Sequence, residues 1–188
     1  MGRDKAVVEL DGVTLLARAL ATLDRVAAPV VLACGPEPRY AEHGRALALD
    51  RVADGGALAG IEAGLARHAA GHVCVLAVDL PAVRPELFAA LLARVRDEDL
   101  DACLARSPGG LEPLCAVYHT RLLPRIRALL DQGERKVTDA LDRRLDGLPN
   151  ARFSWIDVAP EHGAHTNVNT PADLELLCGR EPARKRAS

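Results

Sequence analysis

Aromatic residues are scarce in this chain, making up 3% of 188 residues, with one Trp, two Tyr and two Phe. That shortage disfavours an aromatic-rich β-sandwich core. A core of Ala, Leu and Val suits helices packed on a sheet. Excess charge is absent as well. A formal net charge of −2 gives no long-range pull toward nucleic acid or an acidic membrane, although a few local cations can still bind a small anion. No apolar run reaches membrane-spanning length, and Met1 opens a charged segment rather than a signal peptide, which points to the cytoplasm.

Paired cysteines are also missing. Cys34, Cys74, Cys103, Cys115 and Cys178 are scattered, and three of them sit in apolar runs, so buried reduced thiols are expected. His162 and His165 have no neighbouring cysteine to complete a metal site. The serines Ser107, Ser154 and Ser188 lie in no nucleophile elbow, and neither a Walker A sequence nor GxGxxG occurs. The Arg184-Lys185-Arg186 cluster is too short to read as a nucleic-acid site.

What is present is an ordinary globular composition, 49% hydrophobic and 27% charged. It predicts one domain over residues 1–179 and a basic tail over 180–188. Ala6–Leu10 is a short apolar-rich run ended by Asp11-Gly12, a turn signal, and Thr14 can cap a helix whose apolar face includes Leu15, Leu16, Ala19 and Leu20. Val30–Cys34 and Val73–Val78 read as buried strands, with a weaker one over Ala46–Leu49. Helices are predicted after Gly55-Gly56, from Pro85, over Thr120–Asp131, over Lys136–Arg143 and from Pro171. Apolar runs at Asp101–Ala105, Pro113–Tyr118 and Arg152–Asp157 add further strands. The alternation predicts an α/β three-layer sandwich with a mostly parallel sheet. Ligands bind such sheets beyond the carboxyl ends of strands, where Asp50, Asp79 and the Gly55-Gly56 turn fall.

Five segments in order, GRDK (2–5), GALAG (56–60), DLP (79–81), GERK (133–136) and NVNTPADL (167–174), resemble the molybdenum cofactor guanylyltransferases. The resemblance covers essentially the whole chain. It implies a Rossmann-like nucleotidyltransferase fold and a soluble enzyme using Mg²⁺. The family's first strand and its Gly-rich phosphate loop would precede Met1, so that strand is missing from this sequence. Met1 falls where the family often has the Met of its RMG, which implies a start placed inside the family's frame.

The resemblance also implies roles. Lys5 would neutralise triphosphate charge, and Asp79 would hold Mg²⁺. Asp50, Gly55, Gly56 and Gly60 would contact nucleotide, with Asp54 a competitor for the role of Asp50. Asn167, Asn169, Arg135 and Lys136 would face the pterin phosphate. Leu32 stands where the guanylyltransferases can carry a base-contacting Asn. The implied reaction is transfer of GMP from GTP to molybdopterin-bound molybdenum, with transient contacts to molybdoenzymes or cofactor-pathway proteins. Two alternatives stay open: cytidylyl transfer in the same pathway, and a non-catalytic protein that binds the cofactor.

Overall fold

The computed structural model describes residues 4–137, 152–159, 168, 173 and 177. The predicted helices over Lys136–Arg143 and from Pro171, and the tail, fall wholly or largely outside them. A 3₁₀ turn over Lys5–Val7 leads into a hairpin of β1 (Glu9–Leu10) and β2 (Val13–Thr14). The Ala6–Leu10 run thus holds most of a turn and a two-residue strand. Asp4 caps the turn, its Oδ1 accepting from the Ala6 amide at 3.0 Å, and this bends the run before it can extend.

Thr14 caps α1 (Leu15–Leu23), its hydroxyl accepting from the Ala17 amide at 3.2 Å. Then come β3 (Val31–Ala33), β4 (Ala46–Ala48), α2 (Gly56–Ala66), β5 (His72–Leu76) and α3 (Pro85–Asp97). β6 (Ala102–Ser107), β7 (Gly110–His119), α4 (Leu123–Asp131) and β8 (Phe153–Asp157) complete the described elements.

The α/β class holds, and the sheet is mixed where a mostly parallel one was expected. β3 and β4 pair in parallel, as do β6 and β8, while β7 runs antiparallel between β5 and β6 in the order β5-β7-β6-β8. The tight turn at Ser107–Gly110 is the cause: it returns β7 directly alongside β6, leaving no room for a helical crossover.

Alternate residues of the shared strands face opposite layers, giving a three-layer sandwich. Ala102, Leu104, Ala116 and Tyr118 pack with Leu58, Ile61 and Leu65 of α2 and Ile126 and Leu130 of α4. Cys103, Ala105, Cys115 and Val117 pack on the other face with Leu87, Phe88, Leu91 and Val95 of α3. These four α3 side chains are fully buried, each stabilising the fold by about 1.5–3 kcal/mol. A third cluster joins α1 to β3 through Leu16, Leu20, Val30 and Leu32. The described cysteines are free thiols, and burial pushes those of Cys74 and Cys103 up to about 11 and that of Cys115 up to about 12. Among the described residues no helix is long and apolar enough to cross a membrane.

Candidate active site

β3, β4 and β5 end on the same side of the molecule, and the chain that leaves each of them carries a candidate residue. After β5 the chain turns at Asp79, whose carboxylate meets the Lys5 ammonium at 3.2 Å. Residues far apart in sequence are thus brought together, at the carboxyl end of a strand where an α/β sheet binds ligand. The pair is partly open to solvent, with side chains 31% and 29% exposed, so both charges can be reached by an anionic ligand and its cation.

The backbone of Asp79 ties this corner to the far end of the chain. Its carbonyl accepts the Val168 amide at 2.8 Å, and Val168 is fully buried with Leu10 and Leu15. Asn167 and Asn169 flank Val168 in sequence and themselves lie outside the described residues.

Lys5 is positioned by a set of contacts that the sequence reading missed. Asp4 accepts from the Tyr40 hydroxyl at 2.5 Å and pairs with Arg39 at 3.6 Å, while Arg39 donates to the Cys34 carbonyl at 2.9 Å. The 3₁₀ turn bearing Lys5 is thereby clamped to the loop after β3. Tyr40 adopts a left-handed φ of 65°, uncommon for a non-glycine residue and maintained here by the surrounding contacts. Only the unusual backbone of Tyr40 marks the clamp, and a sequence does not display it.

The Tyr40 bond leads the effects holding the Asp4 carboxyl below the usual carboxylate range, while burial raises the Tyr40 phenol to about 12. In Tyr40→Phe the Asp4 carboxyl is therefore expected to titrate at higher pH than in the parent, as followed by carboxyl NMR. An unchanged titration would mean that the bond is not formed in solution.

Asp50 follows β4. Its amide donates to the Gly35 carbonyl at 2.9 Å, and its Oδ1 is buried without a hydrogen-bond partner. Burial, and then the charge of Glu62, push its carboxyl above the usual range. The folded state therefore holds this proton more tightly than the unfolded chain. The resulting penalty is present above the folded pKa and is relieved as pH falls through it. An unsatisfied polar atom that costs stability is what a ligand-binding group looks like before its ligand arrives.

Asp50→Asn is accordingly expected to raise the melting temperature at neutral pH by about 2–4 °C, roughly 1 kcal/mol. The gain should shrink in acid, and nucleotide affinity should fall. A variant that melts lower at neutral pH would contradict this account.

The glycines sit at the amino end of α2. Gly55 is packed so closely that an added Cβ would overlap Ala59 and lie 2.9 Å from the Val52 carbonyl. Gly56 has a φ of 60°, and an added Cβ there would lie 3.2 Å from the Arg135 carbonyl. Gly60 faces β3, with the Ala33 Cβ 3.8 Å from where its own would be. Asp54 is exposed, with a φ of 56°.

Arg135 reaches the same region through its backbone. Its guanidinium donates to the Leu130 and Glu134 carbonyls at 3.0 and 2.9 Å, so it caps the end of α4. Lys136 is exposed. Leu32 is 7% exposed and packs in the α1–β3 cluster, so its side chain belongs to the core.

A Lys–Asp pair, a buried carboxylate oxygen without a partner and a glycine-led helix lie at the strand ends of a helix-covered sheet, an arrangement that suits an α/β nucleotidyltransferase. The chain belongs to the MobA-like NTP transferase domain family, whose profile matches residues 1–145. It is 35% identical over 181 residues to the probable molybdenum cofactor guanylyltransferase of Deinococcus radiodurans, across 95% of this chain and 88% of the relative. A relative of the same description from Opitutus terrae is 36% identical over 181 residues, across 93% of this chain and 87% of its own length.

Among solved structures, molybdopterin-guanine dinucleotide biosynthesis protein A of Archaeoglobus fulgidus superposes with a TM-score of 0.76 at 26% identity. That superposition covers 96% of this chain and 93% of the other. The 2-C-methyl-D-erythritol 4-phosphate cytidylyltransferase of Thermus thermophilus shares the fold, with a TM-score of 0.66 at 22% identity over 93% of this chain and 92% of its own.

Proposed function

We propose that the chain transfers GMP from GTP to the terminal phosphate of molybdopterin carrying molybdenum, releasing pyrophosphate. The observation that carries this reading is the Lys5–Asp79 pair at the carboxyl end of β5, held to the NVN segment through Val168. The substrates follow from relatives described as a probable molybdenum cofactor guanylyltransferase and a molybdopterin-guanine dinucleotide biosynthesis protein.

In the proposed reaction an oxygen of the molybdopterin phosphate attacks the α-phosphorus of GTP. The bond to the β-phosphate breaks, and its electron pair leaves with pyrophosphate. No protein nucleophile is needed, so the protein acts by positioning and charge neutralisation. Lys5 would leave Asp79 for the triphosphate and offset charge that builds on the leaving group. Asp50 and the amino end of α2, with Gly55, Gly56 and Gly60, would receive the nucleoside. Asn167, Asn169 and Lys136 would meet the pterin phosphate, with Arg135 holding the loop in place.

The donor set suits Mg²⁺. Such an ion is held by one or two carboxylates, with phosphate oxygens and water completing its shell. Asp79 offers one accessible carboxylate, and no group of three His, Cys, Asp or Glu gathers among the described residues. Bound there, Mg²⁺ would supply Lewis-acid charge between phosphate oxygens.

This reading treats residues 1–179 as one nucleotidyltransferase unit in the cytoplasm that passes its product transiently to molybdoenzymes. The test is transfer from labelled GTP and labelled CTP to molybdopterin with Mg²⁺. Transfer from GTP well above CTP supports the reading. Preference for CTP would replace the nucleotide and keep the chemistry, and transfer from neither would end the enzyme assignment.

A further inference from the structure

A cavity of about 380 Å³ lies between β4, the carboxyl half of α2 and Arg127 of α4. Neither Lys5 nor Asp79 nor the glycines that open α2 line it. Three arginines, Arg51, Arg67 and Arg127, stand there against one acid, Glu62. The lining thus holds two positive charges in excess, in a chain whose formal net charge is −2.

Glu62 accounts for one of the three arginines. Its side chain is 2% exposed, and a carboxylate so buried needs a cation beside it. Arg127 meets that need, its Nε donating to Oε1 at 2.7 Å. Arg51 comes second, with Nε 4.0 Å from the same oxygen and Nη2 donating to the exposed Asp131 at 2.9 Å. Neither arginine commits its whole fork, and Arg67 pairs with no acid among the described residues.

A network that served only to neutralise Glu62 would be complete without Arg67. Glu62 acts instead as a buried anchor that holds Arg127 by one edge. A guanidinium held in this way loses less freedom when another edge meets an anion. Leu47, Leu49 and Ala66 add apolar surface, and Leu49 is 43% exposed beside these charges.

We propose that this cavity binds a small organic dianion, with a phosphate or a pair of carboxylates on an apolar body. A guanidinium fork matches the oxygens of either group in a two-bond contact. The two ligand charges offset the excess in the lining, and the body covers Leu47, Leu49 and Ala66. A halide ion would leave the leucines bare, and a divalent cation would be repelled. Three cations make too short a track for a nucleic-acid backbone. The site rests on its own lining and stands whichever nucleotide the chain uses.

Phenyl phosphate and phenylsuccinate are the probes, each titrated into the full chain and followed by calorimetry and amide NMR. The expected result is binding with shifts at the amides of Leu47, Leu49 and Ala66, and the tighter probe identifies the anionic group. Arg67→Gln should weaken that binding at least about tenfold, because it removes one charged contact. Its melting temperature should stay within about two degrees of the parent, since the Arg67 side chain is exposed and pairs with no acid.

Lys5→Ala separates this cavity from the Lys5–Asp79 corner, where phenyl phosphate has a second cation to meet. Affinity at the cavity should stay within about twofold of the parent in that variant. Shifts confined to the surroundings of Lys5 and Asp79 would overturn the proposal. So would equal binding by Arg67→Gln, or no binding of either probe up to about 10 mM.

Discussion

Asp79→Asn is expected to slow nucleotidyl transfer by about 100-fold or more while leaving the melting temperature within a few degrees of the parent. The substitution keeps the shape of the side chain and removes the charge. In the proposed reaction two functions of that charge would be lost together. The triphosphate-bound cation would lose a carboxylate, and Lys5 would lose the contact at 3.2 Å that places its ammonium before the triphosphate arrives. Stability should barely change, because both side chains are partly exposed and water can replace the pair.

A companion Lys5→Ala should lower turnover by a similar order. The double variant should be less impaired than the product of the two single effects, since the residues act as one unit. Steady-state transfer with GTP, at saturating Mg²⁺, reads all three variants. Turnover of Asp79→Asn within threefold of the parent would remove Asp79 from the reaction.

The second large effect is on the fold itself. Gly55→Val is expected to lower stability by about 2–3 kcal/mol, or roughly 5–10 °C in melting temperature. The cause is steric rather than conformational. Gly55 has an ordinary helical backbone, with φ −72°, but its amide donates to the Val52 carbonyl and its own carbonyl accepts from Ala59. A side chain placed there presses on both partners, so the first turn of α2 must shift. Gly56 begins that turn and Asp50 lies on the segment leading into it, and the KM for the nucleotide should rise along with the loss of stability. Calorimetry beside the transfer assay separates the outcomes. An unchanged melting temperature would show that the turn relaxes freely, and that Gly55 is not required for close packing.

The parts of this fold legible in the sequence are those decided locally. Thr14 caps α1 through its own hydroxyl, and Pro85 begins α3 where a missing amide costs nothing. Asp50 and Asp79 could be placed at strand ends because each directly follows an apolar run. Strand direction is another matter. β6 and β7 are apolar runs that read alike whether parallel or antiparallel, and only the hairpin between them settles it. The Asp4–Tyr40 bond joins residues 36 apart and has no local signature. Arg135 sits in a motif suited to anion binding, and the sequence does not show that its Nη1 also donates to the Leu130 carbonyl near the end of α4 and to the Glu134 carbonyl beyond it.

The hydrogen bond from Val168 to Asp79 bears on how the chain matures as it is made. Val168 covers Leu10 and Leu15, which leave the ribosome well before it does. Synthesis adds about 5–20 residues per second and folding begins from the amino end. The hairpin and α1 therefore wait, with part of their apolar surface bare, until Val168 has emerged. The corner that holds Asp79 closes only then, after every described strand has been made.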